Sequence, residues 1–422
     1  MKLHNLKIPS QKVNFKQAVI EGIGQERGLF FKKQFQPLEN LDEILSMDFV
    51  ERSCHIIYHL IEKELPFEQV KQMVTKAFDF DIKMVDISDD IACLELFHGH
   101  TLAFKDFGAR FMAQCVDAFN EKKHVTILTA TSGDTGAAVA HAFYKIPGIN
   151  VKILYPKGKI SNLQEKLFCT LGENIETYAV EGDFDDCQRM VKSAFDSQEI
   201  RNKHNLTSAN SINISRLLAQ VCYYFEIVHK YYDDNLVVSV PSGNFGNLTA
   251  GLIAKQIGAP IKRFVAATNA NDTVPRYLIE KTWSPNKTVE TASNAMDVSN
   301  PSNWPRIMSL FNNDLNELAN VVSANIKSDD ETYIAMKELQ KLGYIAEPHT
   351  AIAYSALKDG LKENEQGVFV STAHPSKFLE TVEEILTLKL ELPEALDKVK
   401  NKTNLSKTIT NDTGKFKTYL LK

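Results

Sequence analysis

The chain has 422 residues, 44% of them hydrophobic and 24% charged, a balance that supports packed cores for two or three domains. Its 48 basic and 53 acidic residues are scattered, leaving a net charge of -5, so there is no electrostatic footprint for nucleic acid or an anionic membrane and small-molecule partners are expected. No window is apolar for long enough to span a bilayer. The six cysteines show neither a Cys-x-x-Cys pair nor zinc-ligand spacing with histidine, so reduced thiols in a cytoplasmic protein, with no metal, are expected.

In chain order, Lys2, Lys7, Lys12 and Lys16 precede no apolar run, which argues against a signal peptide or anchor. Phe15 to Ile23 and Leu41 to Leu65 read as mainly helical and predict an N-terminal cap ending near Asp86 to Asp90. The segment His98-Gly-His-Thr-Leu-Ala-Phe-Lys-Asp-Phe-Gly108 then sets Lys105 among Leu102, Ala103, Phe104 and Phe107. Burial disfavours the ammonium form, so Lys105 is a candidate nucleophile for a Schiff base with a carbonyl substrate or with pyridoxal phosphate. The alternative is a lysine whose stem packs on the aromatics while its head reaches water. His98 and His100 have the spacing of a metal pair, but no third ligand is nearby in sequence.

From about residue 124, short apolar runs end at Gly/Ser-rich turns and Ala-rich or amphipathic segments follow, the pattern of βαβ units. Strands are predicted at Val125–Thr129, Val151–Tyr155, Leu236–Val240, Arg263–Thr268 and Gly367–Ser371, and helices at Ala137–Tyr144, 214–228 and Leu248–Gln256. The fold class is therefore α/β with mostly parallel, doubly covered sheets. On 214–228, Ile214, Leu217, Leu218, Val221, Phe225 and Val228 share one core-facing stripe. From Leu396 onward the chain is rich in Lys, Asn and Thr, which predicts a solvated terminal segment with some docking.

Three turns are candidate anion sites. Ser242-Gly-Asn-Phe-Gly-Asn247 lies between a strand and a helix, so its backbone N–H groups and the helix dipole converge, with Gly243 and Gly246 permitting close approach and Ser242 and Asn244 able to add donors. It is neither a nucleoside-triphosphate loop nor a dinucleotide fingerprint. Thr131-Ser-Gly-Asp-Thr-Gly136 has the same setting, and its hydroxyls at Thr131, Ser132 and Thr135 either bind an anion or cap the helix. In Asn210-Ser-Ile-Asn-Ile-Ser-Arg216, a cation in the first helical turn opposes the dipole, which favours an anion held there by Arg216, Asn210 and Ser211 over a solvent-screened arginine. A cofactor phosphate, a substrate carboxylate and a substrate phosphate would fill these three turns.

The segments Leu94 to Gly108, Thr129 to Ala137, Asn210 to Arg216, Pro241 to Asn247, Asn294-Ala-Met-Asp-Val298 and Thr372-Ala-His-Pro375 resemble the threonine synthase family in order over nearly the whole chain. Lys12-Val-Asn-Phe15 and Gly28-Leu-Phe-Phe31 are similar to that family's N-terminal region, in its longer bacterial and fungal branch. The resemblance implies a fold-type-II pyridoxal-phosphate enzyme with two parallel-sheet α/β domains and a mainly helical N-terminal cap. The division it suggests is a cap over 1–90, a large cofactor domain over 91–120 and 230–395, a smaller mobile domain over 121–229, and a C-terminal segment over 396–422. The reaction implied is conversion of O-phospho-L-homoserine and water to L-threonine and phosphate, by a monomer or homodimer.

Carried over by position, Lys105 would bind the cofactor aldehyde. Ser242, Gly243, Asn244, Phe245, Gly246 and Asn247 would cradle its phosphate, Thr372 would meet its ring nitrogen, and Asp134 would lie near its 3-hydroxyl. Ser132, Gly133 and Thr135 would take the substrate carboxylate, and Asn210, Ser211 and Arg216 the substrate phosphate. The chain departs from the family at His100, where proline is usual, which frees the backbone and adds a titratable ring. The competing readings are a threonine or serine dehydratase-like enzyme, which needs no second phosphate site, and a non-catalytic metabolite-binding homologue.

Overall fold

The apolar runs separated by Gly- and Ser-rich turns become two sheets flanked by helices in the computed structural model, which describes residues 1–120, 124–233 and 235–421. The larger sheet has the order β12-β11-β10-β13-β5-β4, formed by Val322–Ile326, Arg263–Thr268, Leu236–Pro241, Gln366–Ser371, Ile91–Glu95 and Lys83–Asp86 respectively. Its strands are parallel except β4, which runs antiparallel to β5. All six residues of β10 are buried, as expected where helices cover both faces of a parallel sheet. The second sheet, β14-β8-β7-β6-β9, is parallel throughout and uses Lys407–Thr410, Ile175–Glu181, Ile149–Pro156, Val125–Ala130 and Leu206–Thr207.

The N-terminal region contains the expected helices and a small sheet that the sequence pattern did not predict. Helices α1 (Phe15–Glu21), α2 (Leu41–Ser46), α3 (Phe49–Leu60) and α4 (Phe67–Ala77) accompany the antiparallel strands β1 (Leu3–Asn5), β2 (Lys12–Val13) and β3 (Phe30–Phe31). Strands of two or three residues are too short to show a period-2 pattern. The single helical stretch expected over Leu41 to Leu65 breaks at Asp48, whose extended backbone and side chain cap α3 by accepting from Glu51 N–H.

The helices that matter for the site are α5 (Lys105–Phe119), α6 (Asp134–Phe143), α7 (Asn162–Cys169), α8 (Phe184–Asp196), α9 (Gln198–His204), α10 (Ile214–Lys230) and α11 (Gly246–Gln256). The apolar stripe on α10 is buried as its spacing predicts, and Arg216, Gln220, Tyr223 and Tyr224 are buried with it. Although all of α10 but its last residue falls within 121–229, it packs on α3, α5 and α11. The segment after Leu396 is more firmly docked than its composition predicts: β14 pairs with β8, and the helix Thr413–Leu421 buries Phe416 and Leu420 in the core of the smaller sheet.

Candidate active site

Lys105 is the first residue of α5, so its amine hangs at the positive end of a helix dipole, which opposes an ammonium ion. The approach to it is fixed by backbone. Leu102 adopts φ +59°, a strained conformation for a leucine, and Ala103 bridges Ala373. Phe104 N–H donates to the Thr372 carbonyl at 2.9 Å, and His374 N–H donates to the Leu102 carbonyl at 3.0 Å. These bonds hold the lysine segment beside the end of β13, so Lys105 and Thr372 arrive together from opposite ends of the chain. Only 16% of the Lys105 side chain is exposed, and Nζ lies 5.9 Å from the Phe104 ring centre. Burial pushes its pKa down; Asp134 opposes that shift, and Lys377 and Arg216 reinforce it.

Asp134 opens α6, where the dipole favours its negative charge. Its carboxylate lies 3.6 Å from Lys105 Nζ and 2.5 Å from Lys377 Nζ. Burial acts to raise its pKa, but the two ammonium groups overcome this and hold it far below the usual carboxylate range. Its charged form therefore stabilises the fold above the unfolded carboxylate pKa of about 4, and that contribution is lost as pH falls through the lower folded value. Asp134→Asn strands two lysines in a low-dielectric site and is expected to lower unfolding free energy by about 3 kcal/mol at neutral pH, read by urea denaturation. The difference from wild type should shrink in acid.

The turn before Asp134 is set by Thr131, whose Oγ1 accepts from Gly133 N–H at 2.9 Å and Gly136 N–H at 2.8 Å. Thr131 thus takes the capping role, leaving the half-buried Ser132 and Thr135 at the helix start. Gly133 has φ +136°, a backbone state closed to side-chain-bearing residues.

The turn at 242–247 precedes the first hydrogen bond of α11, from Thr249 N–H to the Phe245 carbonyl at 3.0 Å. Its side chains are not the free donors that the sequence suggested. Ser242 commits its N–H to Ala267 O and its hydroxyl to Val240 O, each at 2.8 Å. Asn244 bridges loops, donating to Ser211 Oγ at 2.5 Å and accepting from Ser302 N–H. Phe245, at φ +59°, packs edge-on against Trp304. Asn247 Oδ1 accepts from the Tyr223 and Tyr224 hydroxyls at 2.6 and 2.7 Å, while its buried Nδ2 has no protein partner. A Cβ on Gly243 would lie 2.6 Å from Met296 Cα, so Gly243→Ala must displace backbone. We expect it to weaken cofactor binding on the order of 10-fold or more, measured by fluorescence titration, with the fold retained.

The third turn stands against the second through the Asn244–Ser211 bond. Asn210 accepts from Thr129 Oγ1 at 2.5 Å, and Arg216 is 2% exposed, donating through Nη1 to the Ala209 carbonyl while its Nε has no protein partner. Burial brings the Arg216 pKa down to about 10, with Asp106 acting the other way. A buried guanidinium at a helix N-terminus, with an unpartnered N–H, fits an anion.

Three participants were not expected from the sequence. Lys377, two residues beyond the Thr372–Pro375 motif, is 1% exposed and reaches both Asp134 and the Thr101 carbonyl. His349 accepts Ala295 N–H at 3.2 Å through Nε2, and its Nδ1 lies 2.5 Å from Glu347, so a buried pair braces the loop that touches Gly243. Arg306 donates to Asn303 Oδ1 at 2.8 Å, Phe30 O at 3.0 Å and Ile212 O at 2.6 Å, tying the N-terminal sheet to both anion turns. His98 and His100 turn to different partners: His98 pairs with Glu95 at 2.8 Å, and His100 with Asp79 at 3.1 Å.

The donor set suits a phosphorylated aldehyde: an amine for the carbonyl, a helix-N-terminal turn lined by glycine for the phosphate, and a hydroxyl at Thr372 for a ring nitrogen. The orphaned Arg216 Nε and Asn247 Nδ2 are donors awaiting acceptors.

Comparison with known proteins agrees with that donor set. Residues 88–373 match the family described as pyridoxal-phosphate dependent enzyme, residues 7–78 match the threonine synthase N terminus, and residues 350–420 match the threonine synthase C-terminal family. The chain is 58% identical over 425 residues to threonine synthase of Haemophilus influenzae, covering 100% of each. It superposes on the crystal structure of threonine synthase from Escherichia coli with a TM-score of 0.95 at 52% identity, covering 100% of this chain and 99% of that one. A pyridoxal-phosphate-bound threonine synthase from Brucella melitensis matches with a TM-score of 0.94 at 28% identity, over 100% and 98% of the two chains.

Proposed function

The chain belongs to the threonine synthase family of pyridoxal-phosphate-dependent lyases, and from that premise we propose that it converts O-phospho-L-homoserine and water to L-threonine and phosphate at the site around Lys105. The observation that carries the choice of substrate is Arg216: a buried guanidinium at the start of α10, with an Nε that has no protein partner among the described residues and joined through Ser211 and Asn244 to the cofactor turn, gives a second phosphate a place to bind.

Lys105, Asp134, the turn Ser242–Asn247 and Thr372 would hold pyridoxal phosphate. Bound there, the cofactor supplies the electron sink that acidifies the substrate's Cα and Cβ protons. The Lys105 amine would take the Cα proton and then move protons at Cβ and Cγ. Ser132, Gly133 and Thr135 bind the substrate carboxylate, and Arg216, Asn210 and Ser211 bind the γ-phosphate and stabilise it as it leaves. The small unit, carrying the Ser132–Thr135 turn, closes over the substrate so that water reaches Cβ only after phosphate has departed. The buried cysteines suit a reducing cytoplasm.

The test is an absorbance spectrum of the purified protein followed by parallel assay of phosphate and threonine after adding O-phospho-L-homoserine. A visible lysine-bound cofactor band with equal release of both products is expected. A band without phosphate release would hand the substrate to a dehydratase-like reaction, and no band would undo the role of Lys105.

A further inference from the structure

Asp134 has two cations and one charge to share. With Lys105 as its sole partner, a carboxylate 3.6 Å away would hold that lysine as ammonium, the wrong state for a nucleophile and base. Lys377 changes the balance. It is closer, in an ion pair at 2.5 Å from Asp134, has no side-chain exposure, and donates a hydrogen bond of 2.8 Å to the Thr101 carbonyl. That carbonyl is held in place because Thr101 N–H and Oγ1 both donate to Asp106, at 2.8 and 2.6 Å, and Asp106 sits so close to Gly99 that a Cβ there would lie 2.5 Å from it.

Resting on the reading of Lys105 given above, we propose that Lys377 is a positioning residue: it takes up the charge of Asp134 and so leaves Lys105 as the amine of the pair that gives up its proton. The asymmetry is geometric. The Lys377 ammonium has two oxygen acceptors at hydrogen-bonding distance, whereas Lys105 has one at 3.6 Å and starts a helix whose dipole repels a cation. Lys377 also rides on the same loop as Thr372, so one short segment supplies both the hydroxyl expected to meet the cofactor ring and the counter-ion that conditions the amine. The other charged or titratable groups acting on this cluster are Arg216 on α10, Asp106 on α5, His141 on α6, His349 on the helix Pro348–Gly360 and His374 on the Lys377 loop. Of these, Arg216 acts on Lys105 in the same direction as Lys377 and remains in every variant below.

The test is the pH titration of the visible cofactor band in the cofactor-loaded protein, which reads the proton on the lysine-bound nitrogen without turnover. Lys377→Met releases Asp134 to that nitrogen and removes a repelling cation, so the midpoint is expected to rise by about one unit or more. In the same variant kcat should fall by about 10²-fold while KM changes little, because substrate contacts are untouched. Lys377→Arg retains the charge and should keep the midpoint near wild type. The double variant Asp134→Asn/Lys377→Met removes both charges and should return the midpoint toward wild type; if Lys377→Met does not fold, Lys377→Gln, which also removes the cation, takes its place, with the same rise expected and a wild-type midpoint overturning the proposal. A wild-type midpoint in folded Lys377→Met, or a double variant shifted as far as that single one, overturns the proposal; a merely structural lysine would give the former. A wild-type protein with no lysine-bound band, or a band that survives Lys105→Ala, would overturn the parent reading and this one together.

Discussion

Lys105→Ala should leave a folded protein that has lost its reaction. Turnover is expected to drop by at least about 10⁴-fold, because one amine serves as cofactor anchor, base and proton carrier, and the visible band should disappear with it. The stability change should be small: the ion pair of Lys105 with Asp134 is long, at 3.6 Å, and Asp134 keeps Lys377. Absorbance, phosphate release and urea unfolding on one preparation separate these outcomes. Near-normal turnover in the variant would remove Lys105 from the mechanism.

Arg216→Ala is the second large effect. We expect kcat/KM for O-phospho-L-homoserine to fall by about 10³-fold, as a buried charge-assisted contact to the leaving phosphate is lost, with the cofactor band intact. Competitive inhibition by inorganic phosphate should weaken in parallel. Arg216→Lys should rescue little, since a point charge cannot both hold the Ala209 carbonyl and present a second N–H to the anion. Unchanged kinetic constants would show that the substrate's phosphate does not bind there, and would favour the dehydratase-like alternative.

The part of this site that was legible in the sequence is the part written in contiguous motifs. A lysine among phenylalanines, a glycine-rich turn after an apolar run and an arginine at a helix start all announce themselves locally, and helical spacing alone placed the α10 stripe in the core. What was hidden depends on pairing across long separations. Thr372 comes to lie beside the lysine segment because Phe104 N–H donates to the Thr372 carbonyl and His374 N–H to the Leu102 carbonyl. Ser242 and Asn244 looked like phosphate donors because polar residues in a turn usually face outward; instead, Ser242 finishes a strand and Asn244 joins two loops.

Lys377 carries a local signal in Pro375, Phe378 and Leu379, apolar neighbours like those that single out Lys105. Arg306 carries none: its bonds to Phe30, Ile212 and Asn303 join three regions that no local pattern connects. The same holds for β1, β2 and β3, which exist because their partners do.

The docking of β14 has a consequence for how the molecule is made. Strands β6 to β9 leave the ribosome early, but the outer flank of β8 stays unpaired until Lys407–Thr410 has been synthesised, after the whole of the larger sheet. A nascent chain therefore carries an open, hydrogen-bond-hungry margin through most of its translation, the kind of margin that recruits other strands. Ribosome stalling or premature termination just before residue 407 should therefore yield aggregation rather than a soluble, slightly shortened protein.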